Sequence, residues 1–358
     1  MHLSNVVTQS ITIPPKSREH NMDTRISHKS NRVVNGEEYQ KLNAVLSLLF
    51  PSTVHVQQSQ NITGRTHLLR HLLLSNGARL LLKGSPSRGI PLLRNERYSL
   101  ETEARFLALL GQSANPCIPQ LYHYDPQGRL LGSAYLIRQY MKGITLSEIK
   151  TEITPQQQND IDRHLGFLAS TIGQNVAPAF GSLQQVATGT GRRSWREVFC
   201  ALFESVLRDA EDMFIHLPYA DIRHEVSRLS IVLNEVTLPR LVVFGFGRPS
   251  HVLLDENSHQ VSGVVDFSTA FWGDVLMAEI FENPTTAVLE GAGLPSTRTK
   301  WEEIRLLMYS CYRLVTQITI QYYRNRDEAK EFDARRKLLA RITDMVALEP
   351  VAPANGQR

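Results

Sequence analysis

The most constraining feature of the sequence is a pair of short apolar runs set among long helical patterns. The runs read HVLLD at residues 251–255 and VSGVVDF at residues 261–267, and residues 256–260 between them are polar. Two apolar runs that flank a polar turn are typical of a β-hairpin. Because a hairpin places the start of its first strand beside the end of its second, we expect His251 to lie near Asp266.

The rest of the chain divides into a strand-rich part and a helix-rich part. Residues 67–84 hold two apolar runs around Asn76-Gly77, which predicts a hairpin because Asn-Gly accepts positive φ. From residue 144 onward long amphipathic patterns dominate, and Thr154-Pro155 resembles a helix cap followed by proline. We therefore predict an α+β fold with a small strand-rich lobe and a larger, mostly helical lobe. The predicted segments are a disordered tail at 1–34, an N-lobe at 35–142, a C-lobe at 143–348 and a flexible tail at 349–358.

One predicted helix carries an acidic residue on its apolar face. The segment SLETEARFLALLG at residues 99–111 has a capping serine at its start and a glycine at its end. Glu103 lies three residues before Phe106 and seven before Leu110, so the three side chains share one side of the helix. A carboxylate that faces the interior needs a partner. We therefore expect Glu103 to have a partner within the fold.

Composition narrows the class of protein. The net charge is +4, and residues 1–34 hold five basic and two acidic residues, so the rest of the chain is almost neutral. A neutral body argues against a nucleic-acid surface, which requires clustered cations. No apolar run approaches the roughly 20 residues that span a bilayer, which argues against a membrane protein. Three widely spaced cysteines fit neither a disulfide framework nor a metal site, and we expect reduced thiols in a cytoplasmic protein.

Several stretches, in this order along the chain, resemble the aminoglycoside phosphotransferase family, the small-molecule branch of the protein-kinase-like fold. They are LLLK at 80–83, LETEARFLALL at 100–110, YLIRQYMKGITL at 135–146, and the predicted hairpin with VSGVVDFSTAFWGD at 261–274. The last stretch is the most specific because it ends in the Trp272-Gly273-Asp274 motif. The resemblance covers residues 40–290 and implies a two-lobed, kinase-like fold.

The resemblance also implies two cofactors, ATP and Mg²⁺, and a role for several residues. Lys83 would bind the phosphates, Glu103 would pair with that lysine, and Asp266 would hold the metal. The backbone of 135–146 would hold the adenine. The loop that covers the phosphates would include Thr63 and Gly64, the latter because glycine permits close backbone approach. Phosphoryl transfer requires mainly positioning and charge neutralisation, and these residues would supply both.

The loop before the hairpin departs from the family pattern. In RLVVFGFGRPSHVLLD at 240–255, His251 takes the place of a metal-binding asparagine, and either Phe246 or Gly245 takes the place of the catalytic aspartate. Imidazole is a poor ligand for Mg²⁺, but its ordinary pKa lies near neutrality, so His251 is a candidate base as well as a candidate metal ligand or a strand cap. Arg248 either meets an anionic group in the cleft or lies in solvent.

Three functions remain open on this basis. The first is an ATP-dependent O-phosphotransferase acting on a small hydroxylated or amino metabolite, slowed by its base-less loop, with His251, Asp266 and Arg248 as candidate catalytic side chains. The second is a pseudokinase that binds nucleotide or a partner without transfer. The third is a kinase fold repurposed for another reaction of a metabolite, such as cyclisation or isomerisation. Substrate specificity is expected from residues 180–235.

Overall fold

The computed structural model describes residues 36–62, 66–87, 89–111, 115–324 and 326–349. Its helices are α1 (Gly36–Leu46), α2 (Ser99–Leu110), α3 (Leu146–Ile149), α4 (Pro155–Gly173), α5 (Leu183–Ala187), α6 (Trp195–Asp212), α7 (Tyr219–Leu229), α8 (Thr286–Ala292), α9 (Lys300–Tyr323) and α10 (Glu328–Ala347). Its strands are β1 (Val56–Ile62), β2 (His67–Leu74), β3 (Arg79–Pro86), β4 (Leu121–Asp125), β5 (Tyr135–Gln139), β6 (Ile144–Thr145), β7 (Gly181–Ser182), β8 (Arg240–Val243), β9 (Val252–Leu254), β10 (Val261–Val264) and β11 (Ala270–Gly273).

The described residues form two units, and the first is built on an antiparallel sheet. This unit comprises the described residues up to Ser87 together with 120–140, and its strand order is β1-β2-β3-β5-β4. β2 and β3 form the predicted hairpin around Asn76-Gly77. Gly77 has a φ of +84°, and the Asn76 side chain accepts a hydrogen bond from the amide of Ala78 at 3.0 Å. The turn therefore uses the conformational freedom that its sequence predicted.

The core of the first unit lies between α1 and one face of this sheet. Alternation along each strand sends every second side chain to that face, so Leu80 and Leu82 of β3 are buried in it. Lys83 follows on the opposite face and is only 6% exposed. The other fully buried members of this core are Leu42, Val45, Leu46, Phe50, Val56, Leu72, Leu74, Tyr135 and Ile137.

The second unit is mostly helical and comprises the described residues of 88–119 and 141–349. Its core is centred on Trp195, whose ring stacks on Phe271 of β11 with centroids 5.7 Å apart. The indole Nε1 donates a hydrogen bond to the hydroxyl of Tyr309 on α9 at 2.8 Å. This contact satisfies the one polar atom of a fully buried tryptophan. The core therefore joins α6, α9 and the β7-β11-β8 sheet.

Sequence and structure agree on most of these elements. α4 begins after Thr154, whose hydroxyl accepts from the amide of Gln157 at 3.3 Å, as the Thr-Pro pair predicted. The prediction for the start of α2 was off by one residue. Ser99 was expected at the N-cap position, but Tyr98 occupies it and Ser99 is the first residue of the helix. The α+β class is confirmed. The lobe boundary at 142/143 stays a prediction, and the described contacts group α2 with the helical unit. The predicted tails, Glu349 apart, lie outside the described residues.

No helix in the described ranges is both long and apolar enough to cross a bilayer.

The three thiols are free, and burial raises the pKa of each of them, to about 12 for Cys311. Because the thiolate is the reactive form, we expect Cys117 and Cys311 to react with Ellman's reagent at pH 8 only as fast as the protein unfolds. The partly exposed Cys200 should react first. Rapid labelling of Cys311 in the folded protein would contradict its placement, and labelling in urea gives the reference rate.

Candidate functional site

The second unit contains the predicted hairpin that ends in an acidic residue. β9 and β10 pair antiparallel, with Val252 opposite Val264. The pairing continues one residue further, because the amide of Val265 donates to the carbonyl of His251 at 2.9 Å. The next residue is Asp266, and its Oδ2 lies 3.6 Å from Nε2 of His251. The hairpin thus brings His251 and Asp266 together, as the sequence predicted.

Asp266 is held in an unusual backbone conformation. Its φ is +66°, in the left-handed region that non-glycine residues visit rarely and aspartate more readily than most. Its Oδ1 accepts a hydrogen bond from the hydroxyl of Ser268 at 2.6 Å, while the side chain remains 38% exposed. Backbone strain of this kind is found at functional sites when the surrounding structure fixes it. The carboxylate is therefore oriented by the chain and still reachable from solvent.

Glu103 is positioned by packing between α2 and the segment that carries Asp266. Phe106, one turn after Glu103, stacks on Phe267 with ring centroids 4.3 Å apart and planes 11° apart. Both rings and Glu103 are fully buried. The sequence predicted the inward direction of Glu103 correctly. Its predicted ion pair with Lys83 would join the two units and stays a prediction.

The loop between β8 and β9 is apolar where a base would be expected. Phe246 is 3% exposed, and its carbonyl accepts from the amide of Ile280 at 3.1 Å. At the other candidate position, a Cβ added to Gly245 would lie 3.3 Å from the guanidinium carbon of Arg248. One position is therefore filled by a buried ring, and the other is covered by a cation.

Arg248 belongs to an ion-pair network within the second unit. Its Nε donates to Oε2 of Glu279 at 2.6 Å, and the same oxygen lies 3.7 Å from Nη1 of Arg313. Arg313 lies over the ring of Phe244, 4.6 Å from its centroid, and its Nε is 2.9 Å from Glu282. Burial lowers the pKa of Arg313, and the two glutamates oppose that shift. From the sequence, Arg248 was expected either to meet an anionic group in the cleft or to lie in solvent. Its partner Glu279, and Arg313 beside that glutamate, were not predicted, because no local sequence pattern links residues so far apart along the chain.

The Trp272-Gly273-Asp274 motif has a structural role in this fold. Asp274 is buried, and its Oδ2 accepts from Tyr309 Oη at 2.7 Å and lies 3.1 Å from Nε of Arg305. A Cβ on Gly273 would lie 2.5 Å from the Phe271 ring and 2.6 Å from the Trp195 ring, so only glycine fits there. This motif anchors β11 to α9 and the central tryptophan.

Beside His251, at the end of the hairpin, a magnesium ion would find one carboxylate, that of Asp266. No cluster of three or more His, Cys, Asp and Glu side chains suited to a metal occurs among the described residues. Magnesium commonly takes one or two protein carboxylates and completes its shell with phosphate oxygens and water. The carboxylate of Asp266 is a ligand of this kind, whereas the imidazole of His251 is a poor ligand for magnesium. Thr63 and Gly64, predicted to cover the phosphates, lie outside the described residues.

The chain is similar to one family of known proteins in both sequence and fold. The profile of the phosphotransferase enzyme family matches residues 72–277. A solved structure from Thermobifida fusca, proposed to be a fructosamine-3-kinase, is 15% identical, covers 86% of this chain and 99% of its own, and has a TM-score of 0.61. The APH(2″)-IIa complex with streptomycin and ATP is 14% identical, covers 88% and 99%, and has a TM-score of 0.56. No curated protein sequence matches.

A third solved structure, from Ralstonia eutropha JMP134, is proposed to be an aminoglycoside phosphotransferase. It is 12% identical, covers 86% of this chain and 96% of its own, and has a TM-score of 0.58. At these identities the similarity shows the fold. The two-lobed, protein-kinase-like architecture predicted from the sequence is thereby confirmed.

Proposed function

Because the chain belongs to the phosphotransferase enzyme family, we propose that it binds ATP and transfers the γ-phosphoryl group to a small hydroxylated or amino metabolite. The observation that carries the proposal is the fixed, solvent-reachable carboxylate of Asp266 at the end of β10. Solved relatives support it, since the APH(2″)-IIa structure contains streptomycin and ATP and an APH(4)-Ia structure contains AMP-PNP and hygromycin B.

Three side chains of this chain have proposed roles toward the nucleotide. Lys83 supplies a positive charge for the phosphates, and Glu103 keeps that lysine extended. Asp266 holds a magnesium ion, which would neutralise charge on the phosphate oxygens when bound. Lys83 and Glu103 are both almost completely buried, so neither is an ordinary surface charge. Buried charged groups require partners, which agrees with a role in an assembled polar site.

His251 is the proposed proton acceptor in place of the family's aspartate. The acceptor hydroxyl would lose its proton to the neutral imidazole as its oxygen bonds to the γ-phosphorus and the bond to ADP breaks. Asp266, 3.6 Å from Nε2, would stabilise the resulting imidazolium. A positioned base contributes about 10²–10⁴-fold. A histidine placed five residues away from the usual base position would supply less, so we expect slow transfer.

A second function, nucleotide binding without transfer, has a specific observation in its favour. The loop offers a buried ring at Phe246 and a guanidinium against Gly245, so both candidate base positions are blocked. A pseudokinase would retain Lys83, Glu103 and Asp266 for binding alone. The two functions differ only in whether ATP is consumed, and a phosphate-release assay separates them.

The proposed function is tested by thermal unfolding with millimolar ATP and Mg²⁺. We expect the melting temperature of the wild type to rise by several degrees, because a ligand present at 100 times its Kd adds about 2.7 kcal/mol to the free energy of unfolding. Asp266→Ala should lose most of that rise. The matched control is Asp255→Asn at the turn of the same hairpin, which keeps the Oδ1 acceptor for the amides of Asn257 and Ser258.

Two results would contradict the proposal, the first by excluding nucleotide binding and the second by excluding the role of Asp266. One is the absence of any shift in the wild type, which would favour a kinase fold repurposed for non-phosphoryl chemistry. The other is an equal shift in wild type and Asp266→Ala, which would show that nucleotide binds without the proposed metal ligand. A shift in Asp255→Asn equal to that of the wild type is required for either comparison.

A further inference from the structure

The second unit contains a cavity that none of the proposed nucleotide or metal residues lines. Its volume is about 430 Å³, and it lies between α9 and α10, with Glu282 and Asn283 also in its lining. Pockets for small molecules usually measure about 300–1,000 Å³. The cavity is therefore large enough for a metabolite the size of an amino acid.

Most of the charged side chains that line this cavity already have ionic partners. Glu282 pairs with Nε of Arg313 at 2.9 Å and accepts a hydrogen bond from Ser310 at the same distance. Lys337 pairs with Asp333 at 2.6 Å, and Arg341 pairs with Asp344 at 3.2 Å, both along α10. Because these partners balance their charges, the three groups would attract a charged ligand in the cavity only weakly.

Two further lining residues, which carry opposite charges, have no such partner among the described residues. Neither Arg298 nor Glu303 takes part in an ion pair shorter than 4.0 Å with any residue in the described ranges, and they are not paired with each other. The guanidinium of Arg298 donates one long hydrogen bond, 3.3 Å, to the carbonyl of Phe281. Glu303 lies in the first turn of α9 and is exposed. Between the helices, Leu306, Leu307 and Leu314 supply an apolar wall.

We propose that this cavity binds a small zwitterion, namely an α-amino acid with an apolar side chain. The ligand carboxylate would accept a forked hydrogen bond from Arg298, the geometry that guanidinium groups favour. The ligand ammonium would pair with Glu303, and the side chain would bury apolar surface against the leucines. A ligand with both charges satisfies two groups that have no ionic partner in the described part of the chain. Binding requires no nucleotide, so the proposal goes beyond phosphoryl transfer and can fail independently of it.

The ligand side of the proposal is tested by NMR titration of the full chain without ATP. The probes are L-phenylalanine, N-acetyl-L-phenylalanine, which lacks the ammonium, L-phenylalaninamide, which lacks the carboxylate, and L-alanine, which lacks the large side chain. We expect L-phenylalanine to bind about tenfold or more tightly than each of the other three, since a lost charged contact typically costs a factor of that order. Equal binding of a singly charged analogue, or no binding of L-phenylalanine up to about 10 mM, would overturn the proposal.

Two substitutions assign the contacts. Arg298→Gln should bind L-phenylalanine no better than L-phenylalaninamide, and Glu303→Gln should bind it no better than N-acetyl-L-phenylalanine. The matched controls on α10 are Arg336→Gln and Glu328→Gln, which neutralise exposed residues outside the cavity lining. Both controls should keep the wild-type preference. If either control lowers affinity as much as the cavity variants, the effect is one of general charge, and the assigned contacts are wrong.

Discussion

Replacement of Asp274 by alanine is expected to lower the free energy of unfolding by about 3–5 kcal/mol, the usual cost of removing one partner of a buried ion pair. Asp274 is buried, and it accepts hydrogen bonds from Tyr309 Oη and from the amide of Leu276 and lies 3.1 Å from Arg305 Nε. Burial raises the pKa of Asp274, while Arg305 and Tyr309 oppose the shift. Without the carboxylate, Arg305 would retain only Glu235 as an ionic partner among the described residues. Urea unfolding measures the loss.

A double-mutant cycle separates the ion pair from simple loss of packing. Asp274→Leu alone and Arg305→Met alone each remove one partner of the ion pair, and both should destabilise the protein. The combination of Asp274→Leu with Arg305→Met removes both charges, and should recover most of the stability because a well-packed apolar pair is often as stable as a buried ion pair. A double variant as unstable as the sum of the single variants would contradict this account and assign the cost to packing.

Return of a carboxylate to position 246 is expected to raise ATP hydrolysis about 10²-fold or more, the lower end of what a positioned base contributes. This prediction rests on the proposed phosphotransferase function. Phe246→Asp should at the same time lose about 3–5 kcal/mol of stability, because Phe246 is 3% exposed and its ring fills the core of the loop. Gly245→Asp should gain no activity, because its carboxylate would meet the Arg248 guanidinium. Magnesium-dependent phosphate release from ATP is the measurement.

The control for this experiment is Phe246→Asn, which has nearly the same shape as the aspartate variant but cannot accept a proton. It should lose similar stability and gain no rate. A gain at position 245 instead of 246 would show that Gly245, and not Phe246, takes the place of the family's catalytic aspartate. Equal rates for the aspartate and asparagine variants would show that neither position faces the reacting groups.

Local patterns predicted the elements well because each pattern carries its own physical cause. Asn76-Gly77 requires a turn, and the two apolar runs around 256–260 are best paired as a hairpin. The same hairpin placed His251 beside Asp266. The inward direction of Glu103 followed from helical spacing on α2. In each case the residues that determine the local structure belong to one helix or one hairpin. A short stretch of sequence is therefore sufficient to predict it.

The partners of the loop could not be predicted in this way. Arg248 pairs with Glu279, and Arg313 joins that pair from α9, far beyond the loop along the chain. Surface arginines far outnumber arginines buried in such networks, so nothing in the sequence distinguished Arg313. The burial of Phe246 was equally hidden, since an aromatic residue in a loop either packs or stacks on a ligand. Tertiary packing decided both.

The stacked pair of Phe106 and Phe267 has a consequence for regulation. In protein kinases, the position of the helix that carries the lysine-pairing glutamate is one of the features that control activity. Here the two buried rings fasten that helix directly to the residue after Asp266. A switch that moves Glu103 without the segment of Asp266 would have to separate these two rings, which would cost about 0.5–1.5 kcal/mol beyond the loss of buried apolar area.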